Sequence, residues 1–512
     1  MMDYPLLVRH IAERAETVFG DREIVSRTQD GIERSTYRDV VTRARRLASA
    51  LQGLGIKPGD RVATFGWNSV RHLELYLAVP SVGAVLHTLN VRLFEDDLRY
   101  IVGHAEDRIV FLDASLADAM CSFEGVEQEV LMPDGPGERP DALDYERLVA
   151  SGDPDFAFPD LDENSAAAMC YTSGTTGRPK GVVYSHRSTV LHALMVCTAD
   201  AMGVREADSF MPIVPMFHAN AWGLPYAAAL TGAAQVFPGP KMTPPDIAQL
   251  IAEEKVTWTA AVPTIWQGIM QLEDPPDISS VREIICGGSA VPEALIRGFQ
   301  DKFGVPIVQA WGMTETSPLA SVSRAPLDDY KLRATQGRIQ PLVDGRIDEE
   351  SGGELQVRGP WIARDYYNDE TSREKFTEDG VWLKTGDVAE MTDEHFIRLV
   401  DRTKDLVKSG GEWISSVELE GHVMAHPDVV EAAVIAVPDE RWSERPCACV
   451  VLKEGADLDA DGLRDFLKDR VAKWWLPDRV EFIDEVPKTS VGKFDKKVLR
   501  RQFAEEAAGQ PT

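Results

Sequence analysis

The sequence predicts a layered α/β protein. It has a large N-terminal domain with parallel sheets and a small β unit (about residues 1–400), followed by a C-terminal α+β domain (401–512). Three observations lead to this. Helix-period and strand-like runs alternate up to about Gln309, the pattern of parallel sheets connected by helices. Residues 340–400 then become rich in Gly, Asp and short β-like runs. After about Asp401, short strands and helices mix over roughly the size of a small domain.

The elements follow in order. Residues 36–53 carry Val40, Val41, Ala44, Leu47, Ala48 and Leu51 at helical spacing, and Gly53, Gly55 and Pro58-Gly59-Asp60 end the segment. RVATFG from Arg61 reads as a strand, Ser69 to Val82 as a helix and AVLHTL from Ala84 as a strand. Alternation recurs over 247–262 and 291–309. GGELQVRG and HFIRLVD are the β runs of the small unit. In the last part, VVEAAVIAV, CACVVL and RVEFID read as strands, Val417–Ala425 and Gly462–Lys473 as helices, and EEAAGQPT as a frayed tail.

Composition narrows the function. Of 512 residues 44% are apolar and 27% charged, which suits a large buried core and excludes a disordered or fibrous chain. Acidic residues number 83 against 54 basic, a net charge of −29 that argues against nucleic acid and anionic membranes as partners. The six cysteines form no CxxC pair and read as reduced, buried thiols. No signal peptide or membrane-spanning run is evident, since the apolar stretch from Ala221 to Phe237 is broken by Pro225, Thr231, Gly232 and Gln235. A cytoplasmic protein is expected.

The strongest chemical signal is Thr172-Ser-Gly-Thr-Thr-Gly-Arg-Pro-Lys-Gly181, set between AAAMCY and VVYSH as strand, loop, strand. Glycines let the backbone wrap an anion, amides and hydroxyls donate to it, and Lys180 adds charge. The spacing is that of neither a Walker loop nor a dinucleotide fingerprint. In QAWGMTETSP, Trp311 offers a flat ring for a base. Thr314 can donate to a phosphate, and Glu315 is a hard oxygen ligand suited to Mg²⁺, with Thr172 as a second. Gly287-Gly288-Ser289-Ala290 follows a strand-like run and lets a ring approach the backbone. Asp387 in KTGD, where a strand pattern breaks, can accept from a ribose diol. Residues 488–501 hold six basic side chains (Lys488, Lys493, Lys496, Lys497, Arg500, Arg501) against Asp495. Taken singly, each of these is more often an ordinary turn, core ring or solvated charge run.

Taken together, YTSGTTGRPKG, PMFHANAWG, GGSAVP, QAWGMTETSP, KTGD, DRTKDLVKSGGEWISS and PKTSVGKFDKK resemble, in this order and over nearly the whole chain, the adenylate-forming superfamily of acyl-CoA synthetases, luciferases and peptide-synthetase adenylation domains. PMFHANAWGLPYAA and SGGEWISSVELE are most similar to the medium- and long-chain fatty acyl-CoA synthetases. The resemblance implies an acid–thiol ligase using ATP, Mg²⁺ and CoA on a small carboxylic acid, and a possible homodimer. It implies that Lys493, Thr314, Glu315 and His218 are catalytic. Nucleotide would meet Thr172, Ser173, Gly174, Thr175, Thr176, Gly177 and Lys180, then Gly288, Ser289, Ala290, Gln309, Ala310, Trp311, Gly312 and Thr314. Asp387, Arg402, Lys404, Lys408 and Trp413 would complete that site, with Lys404 at the hinge of a mobile C-terminal domain. Thr172 and Glu315 would hold the metal, and Trp222, Gly287 and Met313 would border an acyl pocket gated by Trp222. Pantetheine would pass Ser409, Gly410 and Gly411. An aryl or short-chain acid, a carrier-protein acceptor, or a non-catalytic acyl-nucleotide binder remain alternatives. Two departures from the family, the short run between Gln340 and Gly353 and Asp365 before Tyr366-Tyr367, are expected to lie away from the chemistry.

Overall fold

The computed structural model describes the chain apart from residues 120–122, 124, 173–177, 410–411, 440, 489–493 and 509–512. Two compact units emerge: 1–344 with 358–383, and 345–357 with 384–512.

The first unit holds two large sheets. In the seven-stranded sheet, Leu143–Asp144, Gln128–Met132, Asp107–Asp113, Arg61–Phe65, Val85–Thr88 and Ala166–Tyr171 run parallel, and Gly181–Ser185 closes the edge antiparallel to its neighbour. The nine-stranded sheet centres on Ser209–Pro212, Trp258–Ala261, Glu283–Gly287 and Ile307–Gly312, which run parallel to one another, while Leu319–Val322 joins Ile307–Gly312 antiparallel. Parallel strands buried on both faces require covering helices. The expected helix over 36–53 is Tyr37–Gly53: Thr36 and Asp39 form a capping box, and every apolar position named above is fully buried. Ser69 caps Val70–Ser81 through the His72 amide. Burying one such Leu or Val side chain is worth about 1.5–3 kcal/mol, so burial rather than propensity fixes these helices, along one stripe in Tyr37–Gly53 and nearly all round in Val70–Ser81.

In the second unit, Asp344–Asp348, Glu354–Arg358, Leu383–Met391 and Ile397–Arg402 form a four-stranded sheet. The short run 340–353 contains the first of these strands and the turn, Glu349–Ser351, that leads to the second. A five-stranded sheet follows: Val407–Ser409, Glu412–Ile414, Val429–Asp439, Ser443–Leu452 and Arg479–Phe482.

Four expectations need correction. The helix expected over 462–473 is Ala460–Leu467, because its buried stripe ends at Leu467 and Lys468, Asp469 and Arg470 are all exposed. The backbone of the expected frayed tail is helical to Ala508. Asp387 sits inside a continuous strand, its neighbour Gly386 absorbing a φ of +74°. Among the described cysteines four are buried, but Cys197 is only half-buried. No helix among the described residues is long and apolar enough to cross a membrane.

Candidate active site

The phosphate-loop sequence forms the tip of the hairpin Ala166–Tyr171/Gly181–Ser185, in which Tyr171 pairs with Gly181. Its base is closed twice: Thr172 N donates to Lys180 O (2.9 Å), and Lys180 N donates to Thr172 Oγ1 (3.2 Å). Ser173, Gly174, Thr175, Thr176 and Gly177 lie outside the described residues. Lys180 Nζ pairs with Asp369 Oδ2 at 2.8 Å, donates to Thr371 Oγ1 at 2.7 Å and lies 5.0 Å from the centre of the Tyr366 ring. Burial works to raise the Asp369 carboxyl, but bonds from Lys180 and Thr371 outweigh it and hold that carboxyl below the usual carboxylate range.

Tyr366 links this cation to the second motif. Its hydroxyl donates to Glu315 Oε1 at 2.5 Å, and both side chains are buried. Burial, then the Glu315 charge, push the Tyr366 hydroxyl far up, so it stays a neutral donor. Glu315 rides on the turn Thr314–Thr316 just beyond strand Ile307–Gly312. That turn is tied down by Ala363 N donating to Glu315 O (2.7 Å) and by Tyr184 of the hairpin donating to Thr314 O (2.8 Å). Thr172, Lys180, Thr314 and Glu315 are thereby gathered at one place. The segment after Asp365, expected away from the chemistry, instead clamps it through Tyr366, Asp369 and Thr371.

The acyl-pocket candidates gather at the carboxyl ends of the parallel strands, where open α/β sheets bind ligands. Gly287 pairs with Ala310. A Cβ on Gly287 would lie 2.6 Å from Ala310 O, so the paired strand itself demands a bare residue there, and 3.3 Å from Trp222 Cη2, whose ring packs closely over it. Gly288 has φ +85°, and Ser289 and Ala290 beyond it are exposed. Gln309 is buried; its Oε1 accepts from Val291 N (2.7 Å) and its Nε2 donates to Ala334 O (3.3 Å), so its side chain props this loop. Ala310 and Trp311 are buried, Gly312 is half-buried, and Met313 N donates to Thr316 Oγ1 at 2.9 Å.

His218 is half-buried and begins an unusual turn. Ala219, Asn220, Ala221, Trp222 and Gly223 all have positive φ, from +42° to +67°. Left-handed backbone costs roughly 1–2 kcal/mol per non-Gly residue, and such strain concentrates at functional sites. Asn220 Oδ1 accepts from Cys170 Sγ at 3.0 Å, and a Cβ on Gly223 would fall 2.6 Å from His192 Nδ1.

The second unit holds its own group. Arg402 Nε meets the buried Asp387 carboxylate at 2.9 Å across paired strands. Lys404 is exposed, and its carbonyl accepts from Arg500 at 3.4 Å. Lys408 Nζ lies 5.4 Å from the ring centre of the half-exposed Trp413. Ser409 is buried and its hydroxyl accepts from Arg445 Nη1 at 2.8 Å, so that side chain is engaged internally. Gly410, Gly411 and Lys493 lie outside the described residues.

A family model described as AMP-binding enzyme matches residues 12–367, and one described as AMP-binding enzyme C-terminal domain matches 418–493. The chain belongs to the AMP-binding enzyme family. Curated relatives include a medium-chain-fatty-acid–CoA ligase of Ectopseudomonas oleovorans, 41% identical over 99% of this chain and 97% of that one. A long-chain-fatty-acid–CoA ligase of Thermus thermophilus is 43% identical (98% and 96%), and a 3-methylmercaptopropionyl-CoA ligase of Ruegeria pomeroyi is 42% identical (99% of each). Among solved structures, ATP-bound MatB from Rhodopseudomonas palustris superposes with a TM-score of 0.86 at 28% identity, covering 97% of this chain and 99% of that one.

The donor set of this AMP-binding enzyme suits a magnesium nucleotide. Among the described residues no three His, Cys, Asp or Glu side chains gather into a cation site. Mg²⁺ usually binds through one or two carboxylates together with phosphates and water. Tyr366 occupies one oxygen of Glu315, and a carboxylate has a second to offer.

Proposed function

We propose that this protein is an ATP-dependent acid–CoA ligase that activates a medium- or long-chain fatty acid. The observation that carries the proposal is the assembly of Thr172, Lys180, Tyr366 and Glu315 into one cationic and hard-oxygen cluster at the tip of a glycine-rich hairpin. The names of the fatty-acid ligases among its relatives support the choice of acid.

A carboxylate oxygen attacks the α-phosphorus of ATP, the bond to the β-phosphate bridging oxygen breaks, and pyrophosphate leaves acyl-AMP. The CoA thiol then loses its proton to solvent as its sulfur attacks the acyl carbon, and the C–O bond to AMP breaks. Such chemistry needs positioned charge more than covalent help. Lys180 meets the phosphates and exchanges Asp369 for them. Thr314 donates to the α-phosphate, and His218 stands near the acid carboxylate. Thr172 and Glu315 would hold Mg²⁺, which would supply positive charge to offset that of the phosphates. Asp387, with Arg402, receives the ribose. Lys493 supplies a second cation on a C-terminal domain, 401–512, that moves between the two steps. Trp222, on its strained turn against Gly287, borders the acyl chain. A cytoplasmic homodimer completes the proposal; light scattering checks the assembly.

Pyrophosphate release, measured with and without CoA over acids of graded length, tests this reading. Release that needs both ATP and a fatty acid, with CoA turned over to thioester, is expected. Release only with aryl or very short acids would overturn the choice of acid, an inert CoA would overturn the acceptor, and no release with any acid would point to a non-catalytic binder.

A further inference from the structure

The phosphate-loop hairpin is fastened from outside at three points, and all three converge on one turn of one helix. Helix Glu95–Ala105 ends beside the hairpin. In its last turn, His104 Nδ1 shares a 2.7 Å hydrogen bond with the hydroxyl of Tyr171, the residue immediately before Thr172. The Tyr171 ring lies across the other end of the loop as well: a Cβ on Gly181 would sit 3.1 Å from its Cζ and 3.3 Å from its hydroxyl oxygen. The second fastening is Tyr367. Its backbone N donates to Gly181 O at 2.8 Å, while its ring meets His104 edge-on at 5.8 Å and 88°. The third is Tyr100, one turn before His104 and stacked on it at 5.3 Å, which carries the Arg178 guanidinium of the loop itself 5.0 Å from its ring centre.

From the opposite side, Tyr171 rests on His87 at a ring distance of 5.1 Å, and His87 is fixed by Asp107 at 2.8 Å, both fully buried. The phenol is therefore held between two histidines, one anchored in the sheet and one on the helix. Burial pushes the Tyr171 hydroxyl far up, so it keeps its proton and the bond to His104 persists.

We infer that His104 is a positioning residue for the phosphate-binding hairpin. Through Tyr171, Tyr100 and Tyr367 it sets where Thr172 and Lys180 stand when the nucleotide phosphates arrive. It touches no substrate itself, and the inference rests on the reading that this hairpin binds ATP. The geometry asks for an acceptor or donor at the Nδ1 position and a flat group between three rings. His104→Asn restores a polar atom near Nδ1, whereas His104→Leu fills the space without one.

Three full-length single variants, His104→Leu, His104→Asn and Tyr171→Phe, and the double variant His104→Leu with Tyr171→Phe test it. In ATP–pyrophosphate exchange, loss of one neutral hydrogen bond predicts a KM for ATP raised roughly three- to tenfold in His104→Leu and Tyr171→Phe. The double variant should be no worse than either alone. His104→Asn should return to within about twofold of wild type, and thioester formation from supplied acyl-AMP and CoA should be unchanged in all three. Hydrogen exchange of the peptide spanning 166–185 should rise in His104→Leu relative to the rest of the chain, whether or not the protein proves to be a ligase. Unaltered exchange in that peptide overturns the inference, as does a uniform loss of both half-reactions with no rescue by asparagine, the mark of a merely structural residue. A wild-type protein that exchanges no pyrophosphate would sink the proposed function instead, leaving the exchange measurement to decide the anchoring.

Discussion

Replacing Tyr366 by Phe removes one oxygen atom and tests how the Glu315 carboxylate, proposed to hold Mg²⁺, is positioned. The ring stays, so no cavity opens and no methylene leaves the core. What is lost is the 2.5 Å bond to Glu315, made between two buried side chains. Hydrogen bonds to charged groups are worth about 1.5–3 kcal/mol. If the hydroxyl holds Glu315 in its working position, that energy appears in the adenylation transition state. At about 1.4 kcal/mol per tenfold, kcat/KM for ATP falls roughly 10- to 150-fold. The assay is ATP–pyrophosphate exchange over a Mg²⁺ series, with thioester formation from supplied acyl-AMP as the internal control. The variant should need more Mg²⁺ for half-maximal exchange and should leave the thioester step intact. A lower melting temperature with exchange within twofold of wild type at every Mg²⁺ concentration would refute the reasoning, because Tyr366 would then hold only the fold.

Other outcomes follow from the same geometry. Trp222→Ala should change the ratio of rates on short and long acids while leaving the KM for ATP within twofold; an unchanged ratio makes Trp222 a core residue. Lys493→Ala should slow acyl-AMP formation by about 10²–10³-fold, the scale of one lost transition-state donor, and spare the thioester step; equal loss in both steps would remove its catalytic role. Burial holds His72 and His186 down to about 4 and His192 to about 3, all below the ordinary 6.5. The unfolded chain therefore takes up protons that the folded chain refuses. Stability from these groups is present above about pH 6.5 and is lost as pH falls toward 4, each contributing a slope near 1.4 kcal/mol per pH unit. His192→Gln, whose amide can still accept from the Leu319 backbone as His192 Nε2 does, should show a shallower fall in melting temperature between pH 7 and 4.5, and an identical fall would contradict the assignment.

The parts of the site legible in the sequence are those coded locally. A glycine-rich run between two apolar runs reads as strand, loop, strand; the structure pairs the two strands antiparallel, and Thr172 and Lys180 close the loop's base. The helix read over 36–53 was legible from its apolar stripe, which acts within one or two turns; that Thr36 stands outside it as a cap, boxed with Asp39, is what the structure adds. What stayed hidden acts across long separations. Lys180 and Thr371 are 191 residues apart, Tyr366 and Glu315 are 51 apart, and no periodicity connects either pair. Asp365 reads as an oddity of the β unit, yet its neighbours grip the Glu315 carboxylate and the loop lysine.

The left-handed turn after His218 was hidden for a different reason. Positive φ is normally announced by Gly or Asn, and here Ala219, Ala221 and Trp222 adopt it beside Asn220. A local code could not place it there, so the surroundings must over-determine it. Cys170 holds Asn220, His192 fills the space that a side chain on Gly223 would need, and the Trp222 ring packs closely over the bare Gly287. Strain kept in place by three separate segments is strain that any of them can release. The turn that borders the proposed acyl pocket is therefore the part of the site where a substitution remote in sequence, at Cys170 or His192, should be felt in the choice of acid before it is felt at the phosphates.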